Sequence, residues 1–392
     1  MVTIKNLGKN LLTFFLSFIF ALFAFDFAAY FIVPDSLVGF AHQYRAPIPT
    51  YHEAGDLGFN SKGYFKQDSL LGFDIKDSHP PSEFNFADGR FSVASNELGC
   101  RDTNRLHQIK ESVSYDYFAG DSFTWGFANY ESIFPRIYEK NSGRISLKCG
   151  VSATGQIHQF QKFKNIISRV ATYPEHVFVG YYFNDPSDDY SHPHSTVIDG
   201  VKIKTVVIDK QKKIQRLDYE TLKKTIDLTK NRDEPEKQVK ALNIMIQEIK
   251  RISLSANLMN FFLKNYTFTS LSPFQGTDII QNSISFDETY RVNSFTKANR
   301  DVIETWGLHA NKHEYELIFV LIPPASSHAN RNLYEGLKTH LKESKIDFID
   351  LADFFSKAEL PASDIYWHYD GHLNEKGNEF VGNALVDYVI DN

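Results

Sequence analysis

From Ser114 onward, short apolar runs alternate with longer segments of helical periodicity. The apolar runs are YDYFAG, HVFVGYYF, YELIFVLIPP and KIDFIDL. Continuous apolar runs of this length are typical of parallel strands buried on both faces, and the segments between them are long enough for helices. The pattern predicts an α/β fold in three layers, with a flavodoxin-like parallel sheet and helices on both faces.

A longer apolar run opens the chain. Residues 11–33 are apolar apart from a few polar positions that include Asp26, and a helix of this length crosses the hydrocarbon core of a bilayer. Lys5 and Lys9 precede the run, so the positive-inside rule puts residues 1–10 in the cytoplasm and the rest of the chain outside it. We predict a transmembrane helix over 11–33, with a cleaved signal peptide as the less favoured alternative.

Asp26 stands inside this apolar run. An ionised carboxylate at the centre of a bilayer costs about 2.5 to 3.5 kcal/mol, and less toward the interface. Two interpretations remain open at this point. Asp26 either meets a polar group on another membrane protein, or lies shallow enough to reach headgroup water.

Three further segments follow the predicted anchor. Residues 34–95 are turn-rich and are expected to be a juxtamembrane linker with short strands. Residues 96–392 are expected to form the main domain, with an insertion at about 187–312. Within the insertion, Asp-Gly at 199–200 predicts a hairpin, and residues 234–252 have helical periodicity. The insertion is expected either to shape recognition of a substrate or partner, or only to cover the sheet edge.

Composition excludes several classes of function. The net charge of −6 gives little attraction for nucleic acid. Cys100 and Cys149 are too few for a disulfide-rich scaffold or a thiolate cluster. A disulfide between them is open if the chain is exported, but two buried thiols are favoured. His309 and His313 are four residues apart, but no glutamate completes a zinc motif, so no metal is expected. No nucleotide-binding motif indicates a cofactor.

Chemically useful side chains follow the predicted strands. Ser122 follows YDYFAG, Asn184 follows HVFVGYYF, and Asp370 and His372 come shortly after the last run. Ligand sites in parallel sheets lie beyond the carboxyl ends of the strands. Ser122 is the candidate nucleophile, His372 the general base, Asp370 the carboxylate that orients it, and the Asn184 amide a donor to an oxyanion.

These motifs resemble those of the SGNH (GDSL-type) hydrolase superfamily, in particular its membrane-tethered bacterial envelope branch. GDSFTWG is similar to the family's first block, FND to its third and DGHLNEKG to its last. The resemblance covers Asn96 to the C-terminus. It implies roles for Ser122 as nucleophile and amide donor, for Asn184 in the oxyanion hole and for His372 as base. Arg101 is expected to be structural.

Two positions differ from the family's common pattern. The acid usually stands three residues before the histidine, where this chain has Tyr369, so Asp370 is the candidate. KCGVSATGQ resembles the second block, in which a glycine amide donates to the oxyanion. Either Ala153 or Gly150 takes that place, and Ala153 is favoured because its backbone N–H can serve.

The resemblance implies a serine esterase or O-acyltransferase that acts on acyl esters, chiefly acetyl esters, of cell-envelope carbohydrate. It also implies a single-pass protein of the bacterial inner membrane with its catalytic domain on the periplasmic side. A membrane protein that donates acyl groups is the expected partner. The alternative is a catalytically silent SGNH-like module that binds glycan or an assembly complex.

Overall fold

The computed structural model describes residues 4–33, 63–86, 88–208, 213–223, 249, 252–259, 294–368 and 370–391. The chain divides into two compact units. One contains Met1–Pro49 with Asp227–Ser272, and the other contains Thr50–Ile226 with Pro273–Asn392. The site residues predicted from the sequence all lie in the second unit.

The first unit is built on helix α1, Ile4–Ile32. Asp26 is bonded within this unit, because the hydroxyls of Ser253 and Ser255 donate to Asp26 Oδ2 at 2.6 and 2.8 Å and the Ser255 N–H donates to Oδ1 at 2.8 Å. Ala29 and Leu254 are buried beside them. The polar partner that Asp26 needs therefore comes from its own chain. Judged on the described residues, no helix is long and apolar enough to cross a membrane.

The second unit is organised around a sheet of five strands. The strands are β5 (Asp116–Gly120), β6 (Ser146–Lys148), β7 (His176–Tyr181), β12 (Glu316–Leu321) and β13 (Asp347–Asp350). Their order in the sheet is β13-β12-β7-β5-β6. All of the strand pairs are parallel, which confirms the predicted α/β class.

Helices cover both faces of this sheet, since alternate residues of β5, β7 and β12 enter two separate cores. Tyr117 and Ala119 of β5 face one core and Phe118 faces the other. The helices are α2 (Leu106–Glu111), α3 (Ser122–Trp125), α4 (Phe134–Ser142), α5 (Gln156–Val170), α6 (Asp185–Tyr190), α7 (Ser294–His313), α8 (Glu335–Glu343), α9 (Leu351–Lys357), α10 (Ala362–Ile365) and α11 (Glu375–Asp391).

Residues 63–93, expected to be part of a linker with short strands, form two antiparallel hairpins. Their strands are β1 (Phe65–Asp68), β2 (Gly72–Ile75), β3 (Ser82–Phe86) and β4 (Gly89–Val93). Aromatic side chains of these strands build a third core with Trp125 and Phe127, which follow Ser122. The hairpins therefore support the segment that carries the candidate nucleophile.

The two cysteines do not remain thiols. Cys100 and Cys149 form a disulfide and are both buried, so the expectation of two buried thiols was wrong. Spacing along the chain could not reveal the pairing, because the partners are 49 residues apart. They meet where the Cys149 N–H donates to the carbonyl of Phe118, which brings the end of β6 against β5.

The insertion contains the predicted hairpin. Strands β8 (Ser195–Ile198) and β9 (Val201–Lys204) pair with Ile198 opposite Val201, and Asp199 and Gly200 at the turn both have positive φ. A second hairpin joins β10 (Val206–Ile208) to β11 (Ile214–Arg216). The predicted helix over 234–252 lies outside the described residues except at 249 and 252.

Candidate active site

Ser122 is placed by a tight turn at the end of β5. Gly120 has a φ of +147°, and a Cβ there would lie 2.0 Å from Thr124 Oγ1, so this position needs glycine. Asp121 caps α3 by accepting a hydrogen bond from the Phe123 N–H at 2.9 Å. The turn leaves Ser122 as the first residue of α3 with a partly exposed side chain.

Ser122, His372 and Asp370 form a continuous hydrogen-bonded series. His372 Nε2 lies 2.8 Å from Ser122 Oγ, and His372 Nδ1 is hydrogen-bonded to Asp370 Oδ1. Gly371 between them has a φ of +82°, a conformation that places the two side chains on one side of the turn. If Nδ1 carries a proton that Asp370 accepts, Nε2 is left to accept the hydroxyl proton of Ser122.

Asp370 is held by a residue far away in the sequence. Its backbone N–H donates to Asp88 Oδ2 at 2.8 Å, and Asp88 lies in the turn between β3 and β4. Nearby, Trp367 Nε1 donates to the carbonyl of Phe127 at 2.7 Å. Sequence reasoning missed Asp88, because nothing along the chain connects a hairpin turn with a loop 282 residues away.

Aromatic rings fix the plane of the His372 imidazole. The Phe127 ring is stacked on it with centroids 3.9 Å apart and planes at 6°, and Phe123 lies 4.6 Å away at a tilt. Both phenylalanines lie within five residues of Ser122. The nucleophile segment therefore also orients the base.

Arg101 stabilises this segment and has no contact with the Ser122 hydroxyl. The guanidinium is buried and donates to the carbonyls of Trp125, Gly126 and Ala128, and it stacks over the Trp125 ring at 4.8 Å. The structural role expected for Arg101 agrees with these bonds. Burial lowers its pKa to about 10, which leaves it charged at neutral pH.

The candidate oxyanion donors lie, like Ser122, in segments that follow the carboxyl ends of the strands. Gly120 and Gly180 are paired at the ends of β5 and β7, so the segments carrying Ser122 and Asn184 leave the sheet side by side. Ala153 follows β6 and has a φ of +59°. Gly150, the alternative donor, is packed so tightly that a Cβ would lie 2.6 Å from the Trp125 nitrogen.

The Asn184 amide has a defined orientation. Its Nδ2 donates to Asp188 Oδ2 at 3.1 Å, whereas its Oδ1 has no hydrogen-bond partner among the described residues. The reverse orientation would set the amide oxygen against an oxygen of Asp188, and two acceptors would then face each other whenever that carboxyl group is ionised. Nδ2 carries a second hydrogen besides the one that Asp188 accepts.

Several carboxyl groups are buried beyond the carboxyl ends of the same strands. Burial raises the pKa of Asp121 to about 6 and those of Asp188 and Asp189 to about 7, and it raises the pKa of Asp185 well above its ordinary value. Asp185 accepts a hydrogen bond from Gln156 Nε2 at 2.6 Å. This concentration of acids disfavours further negative charge, so an oxyanion formed here needs its N–H donors.

The two histidines considered as a metal-binding pair, His309 and His313, make local contacts. His309 Nδ1 lies 2.9 Å from the Tyr315 hydroxyl and its ring packs near that of His313. His368 is exposed in the turn before Asp370. Within the part of the chain that the structure describes, no group of histidine, cysteine or acidic side chains could hold a metal ion.

No family model and no curated protein matches this chain. It is similar to the solved structure of a GDSL-like lipase from Bacteroides thetaiotaomicron at 12% identity and a TM-score of 0.33, over 71% of this chain and 88% of that one. It is also similar to an acetylxylan esterase from Geobacillus stearothermophilus at 10% identity and a TM-score of 0.36, over 71% of this chain and 94% of that one. A lipase/acylhydrolase from Enterococcus faecalis is similar at 10% identity and a TM-score of 0.34, over 70% of this chain and 95% of that one. Similarity at this level does not identify a reaction, so the functional conclusion depends on the geometry around Ser122.

Proposed function

We propose that the chain is a serine esterase or O-acyltransferase of the SGNH type that acts through an acyl group on Ser122. The observation that carries this proposal is the series from Ser122 Oγ through His372 to Asp370, with 2.8 Å between Oγ and Nε2. That distance lies within reach for proton transfer in a nucleophile and base pair. The motif order resembles that of the SGNH superfamily, which agrees with this assignment.

The reaction begins when Ser122 Oγ attacks the carbonyl carbon of an ester while His372 Nε2 takes its proton. Asp370 keeps the imidazole oriented and stabilises the imidazolium that forms. Backbone N–H groups of Ser122 and Ala153 and the Asn184 Nδ2 donate to the tetrahedral oxyanion. Collapse expels the alcohol, which receives the proton from His372.

The acyl-serine is then resolved by a second nucleophile. Water or an acceptor hydroxyl gives its proton to His372 Nε2 and attacks the acyl carbon, and the returning proton restores Ser122. Water makes the protein an esterase, whereas a sugar hydroxyl held in reach of the acyl carbon makes it a transferase. Acetyl esters of cell-envelope carbohydrate are the proposed substrates, on the resemblance to the membrane-tethered branch.

The proposed location is the bacterial inner membrane, with the catalytic unit outside the cytoplasm. The apolar sequence of 11–33 with its preceding lysines supports it. Large side chains of α1 such as Phe20, Phe23 and Phe27 are more than two-thirds exposed, as suits a helix surrounded by lipid. The Cys100–Cys149 disulfide also fits an oxidising compartment.

A fluorophosphonate probe separates the enzyme from a catalytically silent glycan-binding module. The proposal expects wild-type protein to be labelled and Ser122→Ala, folded to the same extent by circular dichroism, to remain unlabelled. His372→Ala should be labelled far more slowly, because Ser122 then has no base. Folded wild-type protein that resists the probe would favour the silent module.

An acceptor assay separates the esterase from the transferase. An acetyl donor is offered with and without an envelope oligosaccharide, and acetylated glycan is measured by mass spectrometry. Acetylated product that depends on Ser122 supports transfer. Rapid release of acetate with no modified glycan would limit the function to ester hydrolysis.

The structure removes one reason to require a membrane partner. One of the two interpretations left open for Asp26 was a polar group on another membrane protein, whereas Ser253 and Ser255 of the same unit donate hydrogen bonds to that carboxylate. A membrane protein that donates acyl groups therefore stays a proposal that rests on the family resemblance alone.

A further inference from the structure

We infer that Lys202 and Asp188 are positioning residues that hold the two oxyanion donors, the Ala153 N–H and the Asn184 amide, for attack on the substrate carbonyl. Neither residue belongs to the family motifs on which the site was predicted. The inference rests on the proposed function, because it assigns roles within the same reaction.

Lys202 acts on the peptide unit that contains the Ala153 N–H. Its Nζ donates to the carbonyl oxygen of Ser152 at 3.2 Å, and that carbonyl shares one planar peptide group with the Ala153 N–H. In a trans peptide the C=O and N–H point in opposite directions. A donor fixed on the Ser152 oxygen therefore fixes the direction of the Ala153 N–H.

The same bond also strengthens the donor. A hydrogen bond accepted by a peptide carbonyl polarises the whole amide, and bonds connected in this way reinforce one another. A protonated lysine would have the larger effect, since charge-assisted hydrogen bonds are stronger. Burial lowers the pKa of Lys202 to about 7, but the neutral amine also retains N–H groups that can donate.

Ala153 needs this support because of its backbone conformation. Its φ of +59° lies in the left-handed region, which costs a residue with a Cβ on the order of 1 kcal/mol. His194 is hydrogen-bonded to the Ala153 backbone as well. Contacts from the β8–β9 hairpin and from the loop before it thus hold Ala153 in a backbone conformation that glycine would adopt without strain.

Lys202 is itself fixed in place by aromatic rings. Its ammonium lies 3.7 Å from the centroid of the Phe73 ring and 4.9 Å from that of Phe65, distances at which cation–π attraction operates. Both rings belong to the β1–β2 hairpin. Lys202 therefore comes from the insertion, is held by the β1–β2 hairpin and contacts the loop that carries Ala153.

Asp188 has the corresponding role for Asn184. It accepts one of the two Nδ2 hydrogens at 3.1 Å, which sets the plane of the amide and leaves the second hydrogen for the oxyanion. Asp188 and Lys202 also attract each other electrostatically. Hence both donor groups are held by side chains within one stretch of 15 residues, 188–202.

The test compares Lys202→Met with Lys204→Met on p-nitrophenyl acetate. Lys204 stands on the same strand with an exposed side chain, and its charge, like that of Lys202, acts on Asp188. Its replacement is therefore the matched control for loss of a nearby charge without loss of the bond to Ser152. Removing one oxyanion donor lowers kcat by about 10²–10³-fold, and a misaimed donor should lower it by about 10–100-fold. We expect that loss for Lys202→Met with KM nearly unchanged, and wild-type values for Lys204→Met.

Asp188→Ala is expected to lower kcat in the same way, and Lys202→Arg should recover much of the activity because it restores a donor. Rates are normalised to the number of sites titrated by a fluorophosphonate, so misfolded protein is not counted. An active wild type with equal kcat values for Lys202→Met and Lys204→Met would overturn the inference alone. A wild type that neither turns over nor labels would overturn the proposed function and this inference with it.

Discussion

At the scale of single residues, the site depends on how a carboxylate two positions before the histidine can serve it. Asp370 reaches His372 Nδ1 because Gly371 takes a positive φ. Asp88 then anchors the Asp370 backbone from the β3–β4 turn. The orienting acid thus depends on one glycine and on one residue from a distant hairpin.

Asp370→Asn is predicted to lower kcat by about 10³–10⁴-fold, because an amide at this position favours the wrong imidazole tautomer. Steady-state kinetics on p-nitrophenyl acetate measure the effect. Asp88→Asn is the matched control and should lose much less, since the substituted side chain would still offer an amide oxygen to the Asp370 N–H. Equal kcat values for Asp370→Asn and wild type would show that Asp370 is not the orienting acid.

The candidate residues of this site carry a signal in the sequence, whereas the residues that support them do not. Ser122, His372, Asp370 and Asn184 are recognisable because each follows a predicted strand in a motif of defined chemistry. Asp88 has no such signal, and nothing in the sequence distinguishes Lys202 from the other lysines of the predicted hairpin. Their contacts depend on tertiary packing of the hairpins, which periodicity along the chain does not encode.

At the scale of elements, the strands buried on both faces were the easiest to predict. β5, β7 and β12 are continuous apolar runs, whereas β6 is only the three residues Ser146–Lys148 at the edge of the sheet. Strands β1 to β4 alternate polar and apolar residues and bury their rings against Trp125 and Phe127. The sequence alone indicated a linker with short strands in this region, but not the contacts of those strands with Trp125 and Phe127.

The Cys100–Cys149 disulfide joins the segment that follows β4 to the residue directly after β6. Replacing both cysteines by serine is predicted to lower the free energy of unfolding by about 2–4 kcal/mol, as is usual for loss of a native disulfide. Denaturant unfolding with and without reductant measures the change. The serine variant should not respond to reductant. A wild-type unfolding midpoint that also ignores reductant would contradict the stabilising role.

Asp189 connects three helices, and this connection should depend on pH. It accepts hydrogen bonds from Asn299 of α7 and the Ile157 N–H of α5, both at 2.7 Å. Burial raises its pKa from 3.8 to about 7. The folded protein therefore holds a proton here that the unfolded chain has lost, so the contribution of Asp189 to stability is present at low pH and declines between about pH 4 and 7.

Asp189→Asn removes this titration. The variant is predicted to gain stability relative to wild type as the pH rises through that window, by at most about 1.4 kcal/mol per pH unit. Unfolding free energies of both proteins at pH 5 and pH 7 measure the difference. A difference that stays constant with pH would show that Asp189 does not carry the raised pKa.

At the scale of the whole molecule, the chain divides into a unit built on α1 and a larger unit that holds the candidate site. The fold class of the larger unit could be predicted from its strands alone. The contact between Asp26 and Ser253–Ser255 could not, since more than 220 residues separate the partners. It explains how a carboxylate is accommodated within an apolar helix.

We predict that the chain is attached to the membrane through α1. The full chain should remain with membranes after an alkaline carbonate wash. Phe23→Arg should be extracted more readily, because a central arginine costs about 2.5 to 3.5 kcal/mol on insertion scales. Complete release of the wild-type protein by the wash would contradict the anchor and leave the site chemistry unaffected.

The central claim is that Ser122 carries the acyl group, and rapid-quench mass spectrometry tests it most directly. Wild-type protein is mixed with an activated acetyl ester, quenched in acid within the first turnover and digested. The account predicts one added acetyl group on the peptide that contains Ser122, and none on that peptide from Ser122→Ala. Turnover with no acetyl group on Ser122 at any time, or with the group on another residue, would contradict it.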